Sequence, residues 1–343
     1  MEYRPHVDPV TQIAVGASIG ELTLGRRVGR RALLWGGVCG AIPDLDVLVP
    51  FSNAVETFTY HRSATHSYLM MAAVTPLIAW LIVKIHTDTR QHWRRWLLLV
   101  YAAFATHILL DSLTVYGTQV FWPLDSTPVG WSTIFIIDPL YTLPLLVGIL
   151  GALMWTTDGN RGHRWNNVAL TLGTPYLLWG IGAKHYIESM ARHSQAQAGI
   201  HYGQMLSTPA PFNSLLWRVI TVSETESTES FYSVLDDAHE VPIARRPRQL
   251  DLLAGIESEW PVKRLAWFSK GFFSVRNDNG DVVVSDLRMG AHPFYAFQFK
   301  VGERSSEQTH AAPVEQIASE WRAEQLESML RRIWTPTAWP PPG

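Results

Sequence analysis

The chain has 343 residues, a formal net charge of −2 and a single cysteine. A near-neutral chain without a Lys/Arg stripe argues against nucleic-acid binding, and one cysteine excludes an intrachain disulfide and a thiolate metal cage. Charged residues make up roughly one in eight up to about residue 190 and roughly one in five beyond it, against about a quarter in soluble domains, so the first part reads as lipid-facing and the second as polar.

The N-terminus carries Glu2 and Asp8 without a basic stretch, a short apolar core and a cleavage site, which reads as no cleaved signal peptide. Six apolar segments follow, at 10–25, 32–51, 67–85, 96–117, 139–155 and 167–186, each approaching the ~20 residues a bilayer core requires. The first two are rich in glycine. The expected fold is an α-helical membrane bundle of about six transmembrane or re-entrant helices, followed by a small α+β extramembrane domain. Arg26, Arg27, Arg30 and Arg31, then Lys84, Arg90, Arg94 and Arg95, then Arg161 and Arg164 fall in every second loop. The positive-inside rule then predicts a multi-pass protein of the inner membrane with its C-terminal part on the non-cytoplasmic side.

The expected organisation is a membrane domain over 1–190, an α+β domain over 191–304, and an exposed helix and disordered tail over 305–343. LLWRVITVSET and ESFYSVLD read as paired strands, PVKRLAWFSKG as a short helix, and FFSVRNDNGDVVVSDL as a hairpin turning at Asn-Gly. FYAFQFKV reads as a further strand, 313–333 as an exposed or amphipathic helix, and WTPTAWPPPG as a disordered tail.

Polar residues sit where an apolar bundle should have none: Gln12 and Glu21, Asp44 and Asp46 in GAIPDLD, His61 and His66 in YHRSATHS, and His107 and Asp111 in THILLD. A carboxylate at membrane depth costs at least about 2.5 kcal/mol unless paired or solvated. His107 and Asp111, four apart, share one helical face. Pro43 ends the preceding helix and puts Asp44 and Asp46 in an irregular turn. The alternating topology brings the ends of three helices to one side, so Asp44, Asp46, His61, His66, His107 and Asp111 form the candidate metal set. Mixed imidazole and carboxylate ligands suit a Zn- or Mn-type divalent ion, and six candidates allow one or two ions.

Arg62 is the candidate for binding an anionic substrate group. Glu21 either serves as a ligand or base or pairs with Arg26 or Arg27. Asp138 acts as a base or as a group orienting the site, and Asp125 as a turn residue. Taken singly, each motif has a plainer reading: an interior histidine, a helix terminator, solvated interfacial histidines. Tyr60, Phe121, Trp122 and Trp131 read as an interfacial aromatic belt. Asn213, Trp217, Arg218 and Arg288 to Gly290 read as structural.

GAIPDLDVLVPF, YHRSATHS, HILLDSLTVYGTQVFWPLD and IIDPLY together resemble the YdjM-like family of predicted membrane-bound metal-dependent hydrolases, over roughly residues 8–190. PAPFNSLLWRV and VVVSDLRMG resemble the C-terminal extension of a longer subgroup. The resemblance maps a PDxD motif to Asp44 and Asp46, an HR-x-x-TH-S motif to His61, Arg62, Thr65, His66 and Ser67, and an H-x-x-LD motif to His107 and Asp111. It implies a membrane-bound metal-dependent hydrolase. The expected location of the metal set at the outer membrane surface, and not the resemblance, leads to the expectation that activated water attacks a phosphoester or other ester of an amphiphilic or lipid-linked substrate there. Two other classes remain open: an ion-coupled transporter, since intramembrane His and Asp also serve proton relays, and a non-catalytic membrane protein that a metal merely stabilises.

Overall fold

The computed structural model describes residues 9–155, 160–236, 241–305, 308–318, 323–336 and 338. Helix α1 (Pro9–Gly20) continues through a π-helical turn, Glu21–Gly25, into the short α2 (Arg26–Val28). Gly29, at φ 61°, turns the chain back into α3 (Arg30–Ala41). α1 and α3 nearly touch backbone to backbone. A Cβ added to Gly16 would lie 2.3 Å from Gly36 O, and one on Gly40 would lie 2.4 Å from Gln12 O. Gly16-x-x-x-Gly20 against Gly36-x-x-x-Gly40 is small-residue packing that lets two helices approach closely, which is why both segments are glycine-rich.

Pro43 opens a 3-10 turn, Pro43–Leu48, and Asn53 caps α4 (Ala54–Tyr60) by accepting a hydrogen bond from Glu56 N. A second 3-10 turn, Ala64–His66, leads into α5 (Tyr68–Ile85), followed by α6 (Trp93–Ser112), α7 (Pro139–Met154) and α8 (Arg161–Gln197). Beyond these come β1 (Gln204–Pro209), β2 (Leu216–Val222), β3 (Glu226–Ser233), β4 (Ala244–Pro247), α9 (Trp260–Phe268), β5 (Phe273–Asp278), β6 (Asp281–Asp286), β7 (Gly290–Ala291), β8 (Phe294–Tyr295), β9 (Gln298–Ser305), β10 (Gln308–Ile317) and α10 (Ala323–Arg332). One antiparallel sheet runs β1-β2-β3-β4, a second runs β10-β9-β6-β5, and β7 pairs with β8.

The expected six-span bundle is overturned. Among the described residues only α5, with 18 residues at a mean hydropathy of 1.9, is long and apolar enough to cross a bilayer. At 1.5 Å per residue, the 12-residue α3 reaches about 18 Å, well short of the ~30 Å hydrocarbon core, and the helical run from Pro9 to Val28 has more length but carries Glu21, Arg26 and Arg27. α6 has the length but carries Arg94, Arg95, His107 and Asp111, and α8 has polar ends. The sequence pattern registered apolarity without showing that much of it serves contacts between helices: Leu99, Val100, Ala103 and Phe104 of α6 are all buried.

α8 passes through the compositional boundary at 190 and joins the two ends of the molecule. Near its start Asn166 Nδ2 donates to Ser18 O at 2.9 Å, and near its end Ile187, Met190 and Ala191 pack on Trp217, Val219 and Tyr232 of the first sheet. The β5–β6 hairpin turns at Asn279 and Gly280, both at positive φ, as the Asn-Gly signal requires. The helix expected over 313–333 is α10 only from Ala323. Glu315, Gln316 and Ile317 instead pair with Lys300, Phe299 and Gln298, so strand pairing prevails over helical propensity there. Of the expected tail at 334–343, position 337 and positions 339–343 lie outside the described residues.

One packing relationship matters most for the site. Val55 and Phe58 of α4 and Tyr116, just after α6, belong to the core of the second sheet. Phe58 lies 4.8 Å from Phe268 and 4.4 Å from Phe297 between ring centroids. The loop that carries His61, Arg62 and His66 is therefore anchored at α4 to the C-terminal core.

Candidate metal centre

Asp44, His66, His107 and Asp111 come from three separate pieces of chain, and each turns one ligand atom to a common point, all within 4.8 Å of one another. His66 Nε2 lies 3.3 Å from Asp44 Oδ1 and 3.1 Å from Asp111 Oδ2. His107 Nε2 lies 3.5 Å from Asp44 Oδ1 and 3.4 Å from Asp111 Oδ2. Four ligands at bonds of about 2.0–2.1 Å around a tetrahedral ion stand roughly 3.3–3.4 Å apart, so these separations are those of a metal cage. His66 is 0 % exposed and Asp111 3 %, which puts the cluster out of reach of bulk water.

Hydrogen bonding fixes which way the imidazoles present their lone pairs. His107 Nδ1 is 2.7 Å from Gly40 O; a carbonyl only accepts, so Nδ1 carries the proton and Nε2 of the neutral ring is a bare lone pair. Thr65 Oγ1 donates to Asp46 Oδ2 at 3.1 Å and therefore accepts from His66 Nδ1 at 3.0 Å, which leaves His66 Nε2 bare as well. Asp44 Oδ1 and Oδ2 and Asp111 Oδ2 are buried with no hydrogen-bond donor. Leaving such atoms unmet costs about 1–3 kcal/mol each, more when charged. This donor set fits a divalent cation, and the outer hydrogen bonds of both histidines are the kind that orient metal ligands. Burial would lower the His66 imidazole, but the Asp111 and Asp44 carboxylates that face Nε2 would hold a proton there, and this outweighs burial and raises His66 above its ordinary value. Burial likewise raises Asp44, but the His107 and His66 imidazoles that face it would stabilise its charge, which holds it below the usual carboxylate range. The cluster attracts positive charge.

Asp46 and His61, expected as ligands, stand beside the cage and bond to each other. His61 Nδ1 donates to Asp46 Oδ1 at 2.8 Å, and Asp46 Oδ2 also accepts from Arg62 N at 3.0 Å. His61 lies 4 % exposed at the wall of a large cavity. Arg62 holds a left-handed backbone, φ 61°, a strained choice for a non-glycine residue. The strain is held from every side: its N–H binds Asp46, its carbonyl accepts from Gln119 N at 2.9 Å, its Nη1 donates to Thr114 Oγ1 at 3.0 Å, and its guanidinium lies 5.0 Å from the centre of the Tyr116 ring. Arg62 Nε is 3.2 Å from Asp111 Oδ2.

Glu21 is not at the cage. It lies beside His163, with Nδ1 at 3.6 Å from Oε1; on α1 it is Gln12 that reaches the centre, donating to Asp111 Oδ1 at 2.9 Å. Nine residues along a helix carry Glu21 about 13 Å past Gln12. Asp138 caps α7, accepting from Leu140 N and Tyr141 N, and takes the Tyr176 hydroxyl at 2.7 Å. It shares a pocket of about 20 Å³ with Gln12, Arg62 and Asp111. Asp125 is exposed and closes a turn by accepting from Thr127 N. Thr65, Thr114 and Gly40, which orient the centre, give no independent signal in the sequence, although Thr65 does fall inside the HR-x-x-TH-S pattern.

The larger cavity, about 600 Å³, is lined by His61 and Arg62, by residues 134–137 and by residues of the C-terminal sheets. Arg218 and Arg288 line it too. Each guanidinium nitrogen of Arg288 has a partner: Nε and Nη2 donate to Asp286, the latter at 2.6 Å, and Nη1 to Tyr116 O at 3.0 Å.

The sequence model of the YdjM inner membrane protein family matches residues 7–186, and the chain belongs to that family. The matched region contains every residue of the cage. No curated protein and no solved structure matches the chain.

Proposed function

We propose that this member of the YdjM inner membrane protein family is a metal-dependent hydrolase acting on a phosphoester or another ester of an amphiphilic, lipid-linked substrate. The observation that carries the reading is the convergence of two bare imidazole nitrogens with unsatisfied carboxylate oxygens at a single buried point. Asp44, His66, His107 and Asp111 would hold one divalent ion, with Zn or Mn favoured by two nitrogen and two carboxylate donors. Such an ion supplies Lewis acidity, lowering the pKa of water and polarising a phosphoryl or carbonyl oxygen.

The surrounding side chains divide the remaining work. His61, oriented through Nδ1 by Asp46, presents Nε2 as a base that takes a proton from the attacking water and returns it to the leaving oxygen. Arg62, fixed by Thr114 and Tyr116, offers guanidinium N–H groups to an anionic substrate oxygen. Asp138 positions polar groups in the small pocket behind Arg62. A purely stabilising metal has one observation in its favour, since the four ligands tie together separate chain segments. The cavity at His61 and Arg62 favours catalysis, because a structural metal needs no chamber.

Elemental analysis of the purified full-length protein beside His66→Ala and Asp111→Ala tests the reading. Near-stoichiometric Zn or Mn that both substitutions remove, together with phosphoester hydrolysis lost in the same variants, supports it. A folded wild type that holds no divalent ion after reconstitution ends it.

A further inference from the structure

The cavity of about 600 Å³ beside the cage falls within the range of small-ligand sites, about 300–1,000 Å³. Its wall is assembled from two sources. Arg62, Ile134 and Phe135 lie within residues 7–186, the span of the family match, whereas Phe212, Phe231 and Met289 lie beyond it. Apolar side chains dominate, so water gains little inside and a hydrocarbon chain gains much.

Arg218 supplies an independent observation. It is 3 % exposed; its Nε donates to Glu229 and its Nη1 to Leu287 O at 2.7 Å, but its Nη2 has no acceptor. A buried N–H without a partner costs about 1–3 kcal/mol. Because Arg218 lines the cavity, an acceptor oxygen brought in by a ligand would remove that cost. Arg288, on the same wall, differs in that each of its guanidinium nitrogens already has a partner in Asp286 or Tyr116 O.

Resting on the hydrolase reading, we propose that this cavity is the substrate chamber, that it takes an amphiphile with a single apolar chain and a phosphate-type anionic head, and that the segments after residue 186 set this specificity. The chain lies among the aromatic and aliphatic side chains, and head oxygens meet Arg218 Nη2 and Arg62. The family region supplies the cage, and the C-terminal sheets complete the chamber over it.

Binding of hexadecyl phosphate to the full-length protein, released from nanodiscs and followed by native mass spectrometry, tests this directly. Wild type is expected to retain one molecule per chain, with inorganic phosphate failing to displace it. Ala296→Trp places an indole in the cavity and should weaken retention at least tenfold. If that variant fails to fold, Val115→Trp fills the cavity from the other wall. Arg218→Lys keeps a charge for Glu229 and should weaken hexadecyl phosphate several-fold while sparing hexadecanol. Equal retention by wild type and a folded plugged variant overturns the proposal. Metal content and hydrolysis are measured on the same samples: plug-sensitive binding without metal or turnover would end the hydrolase reading and leave the chamber standing.

Discussion

His66 Nε2 and His107 Nε2 face each other at 3.1 Å, and in the neutral rings neither has a proton to share, because each Nδ1–H is committed to an acceptor on its far side. Two lone pairs and two carboxylates at that separation repel unless a cation lies among them. The arrangement is thus a statement about a ligand as much as about a fold.

The first expectation concerns that cation. His107→Ala should abolish divalent-metal retention, and chelation of wild type should lower its unfolding temperature towards that of the variant. A ligand present at 100 times its Kd stabilises by about 2.7 kcal/mol, enough to move a melting transition by several degrees. Thermal unfolding with and without chelator checks this. A variant that retains metal at wild-type stoichiometry would remove His107 from the cage.

His61 separates the present reading from a six-ligand centre. Because His61 bonds Asp46 rather than facing the cage, His61→Ala should leave metal content unchanged and reduce turnover by about 10²–10⁴-fold, the usual contribution of a general base. Metal analysis beside phosphoester kinetics decides it. Loss of metal in this variant would return His61 to the ligands.

The chemistry of the site was legible in the sequence more fully than its surroundings. The i, i+4 spacing of His107 and Asp111 and the break at Pro43 indicate convergent side chains whether or not the helices span a bilayer. Six apolar runs did not indicate six spans, because apolar side chains serve helix contacts as readily as lipid contacts. Asp46 and His61 were indistinguishable by residue type from the four cage residues; what sets them apart is the bond between them, and that needs coordinates. The role of Thr65 depends on the direction of a single hydroxyl proton.

Thr65 gives a graded prediction. Its hydroxyl passes the charge of Asp46 to His66 Nδ1, so Thr65→Val removes the acceptor that holds the His66 ring while keeping all four ligands. Weakening of metal affinity by about 10–100-fold is expected, the usual effect of losing such an orienting bond. Competition titration with a chromogenic chelator measures it, and Thr65→Ser should recover most of the loss.

The α1–α3 contact predicts a structural failure that reaches the centre. In Gly36→Ala the added Cβ would lie 2.3 Å from Gly16 O, and backbone cannot give way there as a flexible side chain would. The helices must separate, shifting Gln12 on one and Gly40 on the other, and these are the groups that bond Asp111 and His107. Gly36→Ala should therefore reduce both folded yield and metal content. Gly182→Ala, where a Cβ meets nothing within 4 Å, serves as the silent control.

Phe58 tests whether the C-terminal core holds the site in place. Its ring is 3 % exposed between Phe268, Phe297 and Tyr116, and the Tyr116 hydroxyl donates to Phe58 O. Truncating a buried Phe to Ala costs about 3–5 kcal/mol. At Phe58 that loss falls on the joint between α4 and the second sheet, three residues ahead of His61. The strained backbone of Arg62 depends on the same neighbourhood, since Tyr116 packs on its guanidinium and Gln119 N holds its carbonyl. A loosened α4 lets Arg62 relax to negative φ and withdraws its N–H from Asp46. Phe58→Ala should accordingly lower turnover more than it lowers metal content, because Asp44, His107 and Asp111 lie on other segments. Phe58→Leu, which keeps most of the volume, should restore both. Equal turnover per bound metal in Phe58→Ala and wild type would show that the site loop is positioned without help from the C-terminal core.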